Sequence, residues 1–182
     1  EVFADAAVDA VVLALPAHVH AEFALRAIAD GKHVFVEKPL SLSSADGAHV
    51  VEQAATAGKV LMTGHILCYH NAFVALRERI AAGDLGEIRY IQSHRLGFGK
   101  FHARFDALWD LAPHDLSMIM TLAGGEPERG QGVHRGVSIG TTDLAHVHLD
   151  FASGVGAHLH VSRHSPYRER RFTVIGSKGM AV

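Results

Sequence analysis

The sequence predicts an α/β unit, a partial doubly wound parallel sheet, followed by an α+β unit with a large, mainly antiparallel sheet. Two observations predict this. Up to about residue 66, short runs of β-branched and aliphatic residues alternate with amphipathic helical patterns. From Glu87 onward, alternating strands follow one another through Gly-containing turns, with a single helical stretch between them.

The elements follow in order. Asp9–Leu15 (DAVVLAL) is a continuous apolar run ended by Pro16, the pattern of a strand buried on both faces. Ala21–Ala29 places Phe23, Ala24, Ala27 and Ile28 on one helical face and stops before Gly31. His33–Val36 (HVFV) is a second strand, closed by Glu37-Lys38-Pro39. A helix runs from Ser44 to Ala57, capped by Ser43 or Ser44 and stopped by Gly58, and Val60–Thr63 is a third strand. Short connections of this order imply parallel pairing through right-handed crossovers, so residues 1–66 are half of a doubly wound sheet. Residues 67–182 form the second domain. There a helix spans Asn71–Ala82, strands fall at IRYIQSH, VHRGVSIG, TDLAHVHLDF, GAHLHVS and RRFTVIG, and one helix, Leu111–Leu122, interrupts them.

Composition narrows the function. The 182 residues are 48% hydrophobic and 20% charged, which excludes a disordered chain and permits a sizeable core. Seventeen basic residues face 19 acidic ones without a dense basic stripe, so neither a nucleic-acid nor a membrane-surface partner is expected. One Cys excludes an intrachain disulfide and a Cys-rich zinc site. The longest apolar run, Ala10–Ala17, is far short of the roughly 18 residues of a spanning helix, so a soluble, cytoplasmic protein is expected. The chain begins without Met and ends within a strand-turn-strand pattern, as a fragment would.

Two stretches concentrate polar groups. In an open α/β sheet, ligands lie beyond the carboxyl ends of the strands, where Leu15, Pro16 and His20 follow the first strand and Glu37, Lys38 and Pro39 the second. Taken alone, Glu37-Lys38 also reads as a solvated ion pair and His20 as a polar helix start. Downstream, Asp110 and His114 stand four residues apart, so both can share one helical face; a carboxylate near an imidazole suits a general base, and equally suits ordinary capping.

The combination is more specific than its parts. Pro16 with His20, then Gly31–Leu40 (GKHVFVEKPL), Gly64-His65, Asp110 with His114, and the closing Arg170–Met180 stretch together resemble the Gfo/Idh/MocA family of NAD(P)-dependent oxidoreductases. The resemblance implies a Rossmann domain, of which residues 1–66 are the second half, and NAD or NADP as cofactor. It implies Lys38, Asp110 and His114 as catalytic residues, and Leu15, Pro16, His20, Glu37, Lys38 and Pro39 as the cofactor's neighbours. It also implies a sugar or nucleotide-sugar substrate, for which His65, Tyr69, Arg95, Lys100 and Arg163, with Arg168 as a further cation, are candidate contacts. No G-x-G-x-x-G is present, so the first mononucleotide half is missing, and the chain alone is expected to hold NAD(P) weakly. A non-catalytic, ligand-sensing relative and an inactive fragment are the competing readings; a sensing module has no need for the Lys38, Asp110 and His114 set.

Histidine occurs 15 times, so full protonation would carry the formal charge from −2 to +13. His146/His148 and His158/His160 each share a strand face. A turn centred on Ser153 sets all four opposite one another, whereas a two-residue turn at Ser153-Gly154 separates them. Four imidazoles without supporting groups suit zinc poorly, and no metal is expected. The pattern reads instead as a subunit-facing surface of a homo-oligomer built through the antiparallel sheet.

Overall fold

In the computed structural model, which describes residues 2–99, 106–137 and 142–182, the apolar run after Asp9 forms β1 (Ala10–Leu13). β2 (His33–Val36) and β3 (Leu61–Thr63) add to it in parallel, with Val11 opposite Val34 and Val34 opposite Leu61, in the order β1-β2-β3. Between them lie α1 (His20–Ala29) and α2 (Ser44–Thr56). Ser43 accepts a hydrogen bond from the Asp46 amide at 3.3 Å, which settles the α2 cap. Ala24, Ala27, Ile28, Val50 and Ala54 pack with Val11, Leu13, Val34 and Val36 in one core. β1 departs from expectation because only alternate residues are buried: Val12, on the other face of this edge strand, is 71% exposed. A strand is buried on both faces only when layers cover both, and the described helical core covers one.

The chain divides into two compact units, the first ending at His65 and the second beginning at Ile66. In the second, α3 (Asn71–Ala81) precedes β4 (Ile88–Phe98), α4 (Ala107–Ala123), β5 (Pro127–Arg135), β6 (Leu144–Phe151), β7 (Gly156–Ser162), β8 (His164–Gly176) and β9 (Met180–Ala181). The strand order is β5-β6-β7-β4-β8-β9, and every pair is antiparallel except β4 with β7. α4 lies on one face, where Ile119 and Ala123 pack with Ile91, Ala145, Leu149, Ala157, Leu159 and Val161.

α4 begins four residues before the predicted start at Leu111 and contains Pro113. Asp106 accepts a hydrogen bond from the Trp109 amide at 2.7 Å, so the helix is capped upstream of the proline. Pro113 then forfeits only the bond that would reach the Trp109 carbonyl. β5 also begins earlier than expected, and residues 138–140 of the anticipated strand lie outside the described residues.

The β6–β7 turn takes the three-residue form. Phe151 donates to the Val155 carbonyl at 3.0 Å and Gly154 adopts φ +81°, the left-handed position such a loop needs. His146 therefore stands opposite His160 and His148 opposite His158, on the face away from α4. The parallel β4–β7 pairing adds His94 beside His160, a fifth imidazole that a purely antiparallel expectation does not bring there.

Candidate active site

Residues beyond the carboxyl ends of β1 and β2 are tied together by His20. Its side chain is 1% exposed, with Nε2 at 2.7 Å from the Leu15 carbonyl and Nδ1 at 2.7 Å from the Pro39 carbonyl. The imidazole thus braces the Leu15-Pro16 turn against the Lys38-Pro39 turn, whose peptide is cis. Glu37 donates its amide to the Leu13 carbonyl at 3.0 Å, carrying the strand register into the site. Gly64 closes the third strand. A Cβ there would meet the Phe35 ring at 3.3 Å, Glu37 Oε2 at 3.4 Å and the Val36 carbonyl at 3.5 Å, so glycine keeps this mouth open. In the next residue, His65, burial holds the imidazole below its usual range.

In the second unit, Asp110 and His114 lie one turn apart on α4. Asp110 Oδ2 accepts from Arg163 Nη2 at 2.9 Å, and the same Nη2 reaches the Asp106 carbonyl at 3.3 Å. The Arg163 side chain is 4% exposed, so this candidate substrate cation anchors the start of α4 and orients Asp110. Arg95, another candidate contact, forms a two-pronged pair with Asp115 through Nε to Oδ2 and through Nη2 to Oδ1 at 3.1 Å. Ser93 donates its hydroxyl to Asp115 Oδ1 at 2.7 Å. Tyr69 ends a short 3-10 turn, Ile66–Tyr69, and is 66% exposed, whereas Lys100 lies outside the described residues.

The sequence-predicted residues therefore gather in three groups: Leu15, His20 and Pro39; Asp110 with Arg163; and Arg95 with a partner the sequence reading did not single out. Asp115 had a signal, since it follows His114 by one residue and turns to the sheet beside Ala112 and Ile119. Ser93 and Arg95 had one too: two residues apart on a strand, they share the face of Ile91. Arg170, in sequence only part of the closing Arg170–Met180 stretch, lies opposite Arg95 in the β4–β8 register. Among the described residues, no group of three or more His, Cys, Asp or Glu side chains is placed to hold a metal ion, and no helix is long and apolar enough to cross a membrane.

Comparison with known proteins finds matches to both units. The family model described as "Oxidoreductase family, NAD-binding Rossmann fold" matches residues 1–65, and the model for the "GFO/IDH/MocA C-terminal domain" matches residues 73–182. The chain is 29% identical to scyllo-inositol 2-dehydrogenase (NAD(+)) of Bacillus subtilis, covering 98% of this chain and 56% of that protein. It is 31% identical to dTDP-3,4-didehydro-2,6-dideoxy-alpha-D-glucose 3-reductase of Streptomyces violaceoruber, covering 94% and 53%. Among solved structures, UDP-N-acetylglucosamine 3-dehydrogenase from Acidithiobacillus ferrooxidans superposes with a TM-score of 0.84 at 30% identity, covering 93% of this chain and 55% of that one. The chain thus spans about half the length of these relatives. With both family models matched in order along one polypeptide, the chain belongs to the Gfo/Idh/MocA family of oxidoreductases.

Proposed function

We propose that the protein acts as an NAD(P)-dependent dehydrogenase that moves a hydride between the cofactor and a carbinol carbon of a sugar or nucleotide sugar. The observation that carries this reading is the braced Glu37-Lys38-Pro39 turn in a chain whose α4 presents Asp110 and His114, within a family whose relatives bear dehydrogenase and reductase names. The residues present fit the nicotinamide end of a dinucleotide. Gly64 leaves the mouth beside Glu37 bare, where any side chain would contact the Phe35 ring and Glu37 Oε2. Leu15, Pro16, Glu37, Lys38 and Pro39 would flank the cofactor, with His20 holding the two turns in register. When bound, the nicotinamide supplies the hydride acceptor or donor.

The chain's own groups handle the proton and the charge. Removing a hydride from a carbinol leaves a proton on its oxygen, which His114 accepts. The Lys38 ammonium stabilises negative charge developing on that oxygen. Asp110, held by Arg163, steadies the acid-base geometry. His65 and Tyr69 border the substrate in this reading. A second copy packs on the sheet face that carries the five imidazoles, giving a homo-oligomer in the cytoplasm.

Turnover of a panel of sugars and nucleotide sugars with NAD and NADP, measured on the whole protein, tests the proposal. Lys38→Met should cut kcat at least 100-fold with little change in cofactor affinity, on the scale that one stabiliser of a developing oxyanion contributes. Wild-type turnover in that variant would remove Lys38 from the mechanism.

A further inference from the structure

α4 carries His114 on a helix that a proline interrupts. Pro113 removes the hydrogen bond that would reach the Trp109 carbonyl, and its ring crowds that carbonyl, so the helix is least self-supporting in the turn that leads into His114. Such a helix takes its direction from whatever holds the segments on either side of the proline.

A buried arginine stands on each side. Upstream, Arg163, between β7 and β8, reaches Asp110 Oδ2 at 2.9 Å and the Asp106 carbonyl at 3.3 Å. Downstream, Arg95 of β4 grips Asp115 through Nε and, at 3.1 Å, through Nη2, while Ser93 of the same strand donates its hydroxyl to Asp115 Oδ1 at 2.7 Å. Ser93 is fully buried, and the side chains of Arg163, Asp115 and Arg95 are 4%, 4% and 14% exposed. The Arg79–Asp84 pair of the same unit is of another kind, because water screens both of its exposed partners.

Asp115 directly follows His114. Consecutive helical residues leave the axis about 100° apart, so pinning Asp115 to β4 sets the direction in which the His114 side chain departs. With the ring nitrogens about 6 Å from the axis, a helix rotation of about 10° moves them by about 1 Å. An error of about 1 Å at a reacting group costs about 100-fold in rate. An apolar contact of equal volume cannot replace this control, because burial is non-directional whereas a two-pronged guanidinium–carboxylate pair fixes an angle.

We infer that the buried Ser93, Arg95 and Asp115 network is the positioning element for His114, fixing the rotation of α4 beyond Pro113 so that the imidazole meets the carbinol oxygen. The inference rests on the dehydrogenase reading in naming that step, and it makes Arg95 a positioning residue in place of a substrate contact.

The test uses the whole protein with the double replacement Arg95→Met, Asp115→Leu, which keeps volume and removes both charges together. The double variant should melt near the wild type yet lose about 10- to 100-fold in kcat, with KM within about twofold. Arg79→Gln, which breaks an exposed pair, should change neither. In a His114→Gln background the double replacement should cost no further activity, because the group it aims is gone. Independently of turnover, the His114 side-chain resonance, assigned with His114→Gln, should shift in the double variant while that of His70, at the start of α3, stays in place. If the double variant melts early, Arg95→Lys serves instead: it keeps the charge, loses the fork, and should lower kcat at an unchanged melting temperature. Wild-type kcat in the double variant, the full loss repeated in the His114→Gln background, or an unmoved His114 resonance overturns the inference. No turnover in the wild type together with a shifted resonance would refute the dehydrogenase reading and leave the positioning of His114 standing.

Discussion

Replacing Asp115 separates a structural role for Arg95 from a substrate-binding one. The Asp115 side chain is 4% exposed and that of Arg95 14%, so the pair sits largely out of water. Asp115→Asn keeps the size of the side chain but leaves the Arg95 guanidinium buried without its counter-charge. Breaking a buried pair in this way costs about 3–5 kcal/mol. The weakened bond from Ser93 adds roughly 1 kcal/mol. Arg95→Met alone should cost a similar amount by stranding the carboxylate. The double variant Arg95→Met, Asp115→Leu removes both charges together, so it should recover most of the loss, with a coupling energy above about 2 kcal/mol. Urea unfolding followed by tryptophan fluorescence measures this within the right unit, because the single tryptophan, Trp109, lies on α4. Additive losses, or a loss below about 1 kcal/mol for Asp115→Asn, would refute the buried strut and return Arg95 to the substrate candidates.

Four further outcomes are expected. The His160 imidazole is lowered to about 4 by burial and by neighbouring His146, His94 and His158, with Glu169 opposing. The folded state therefore binds fewer protons than the unfolded chain as pH falls through 6.5, so stability should drop from there toward pH 4, and His160→Gln should flatten that part of a melting-temperature profile. Gly176→Ala should destabilise by about 2–4 kcal/mol, because its Cβ would overlap the Leu85 carbonyl. Gly154→Ala has open space around it but φ +81°, so it should cost only about 1 kcal/mol in the same urea assay. His20→Ala strands two carbonyl contacts and should lower stability by about 2–4 kcal/mol, with protease cleavage rising first near Pro16 and Pro39.

The sequence by itself determined the order of elements, the change of class near residue 66 and the motif residues, because each depends on local patterns. Apolar runs of four residues, a Ser or Asp cap and a glycine stop act within a turn or two of the chain. Even the histidine register was reducible to two alternatives, since a sheet face repeats every two residues. Tertiary structure decided what these rules leave open. The length of one turn at Ser153 chose the register, and the parallel pairing of β4 with β7 brought in His94 across 66 residues of sequence. Partner choice was equally non-local. Arg95 and Arg163 look alike in sequence as free cations, but α4 delivers Asp115 to one and Asp110 to the other. Arg170, facing Arg95 on the next strand, has its guanidinium fixed by the Leu96 and Glu169 carbonyls. Burial makes such pairing decisive, because a charge that water no longer screens takes its role from whichever opposite charge the fold places beside it.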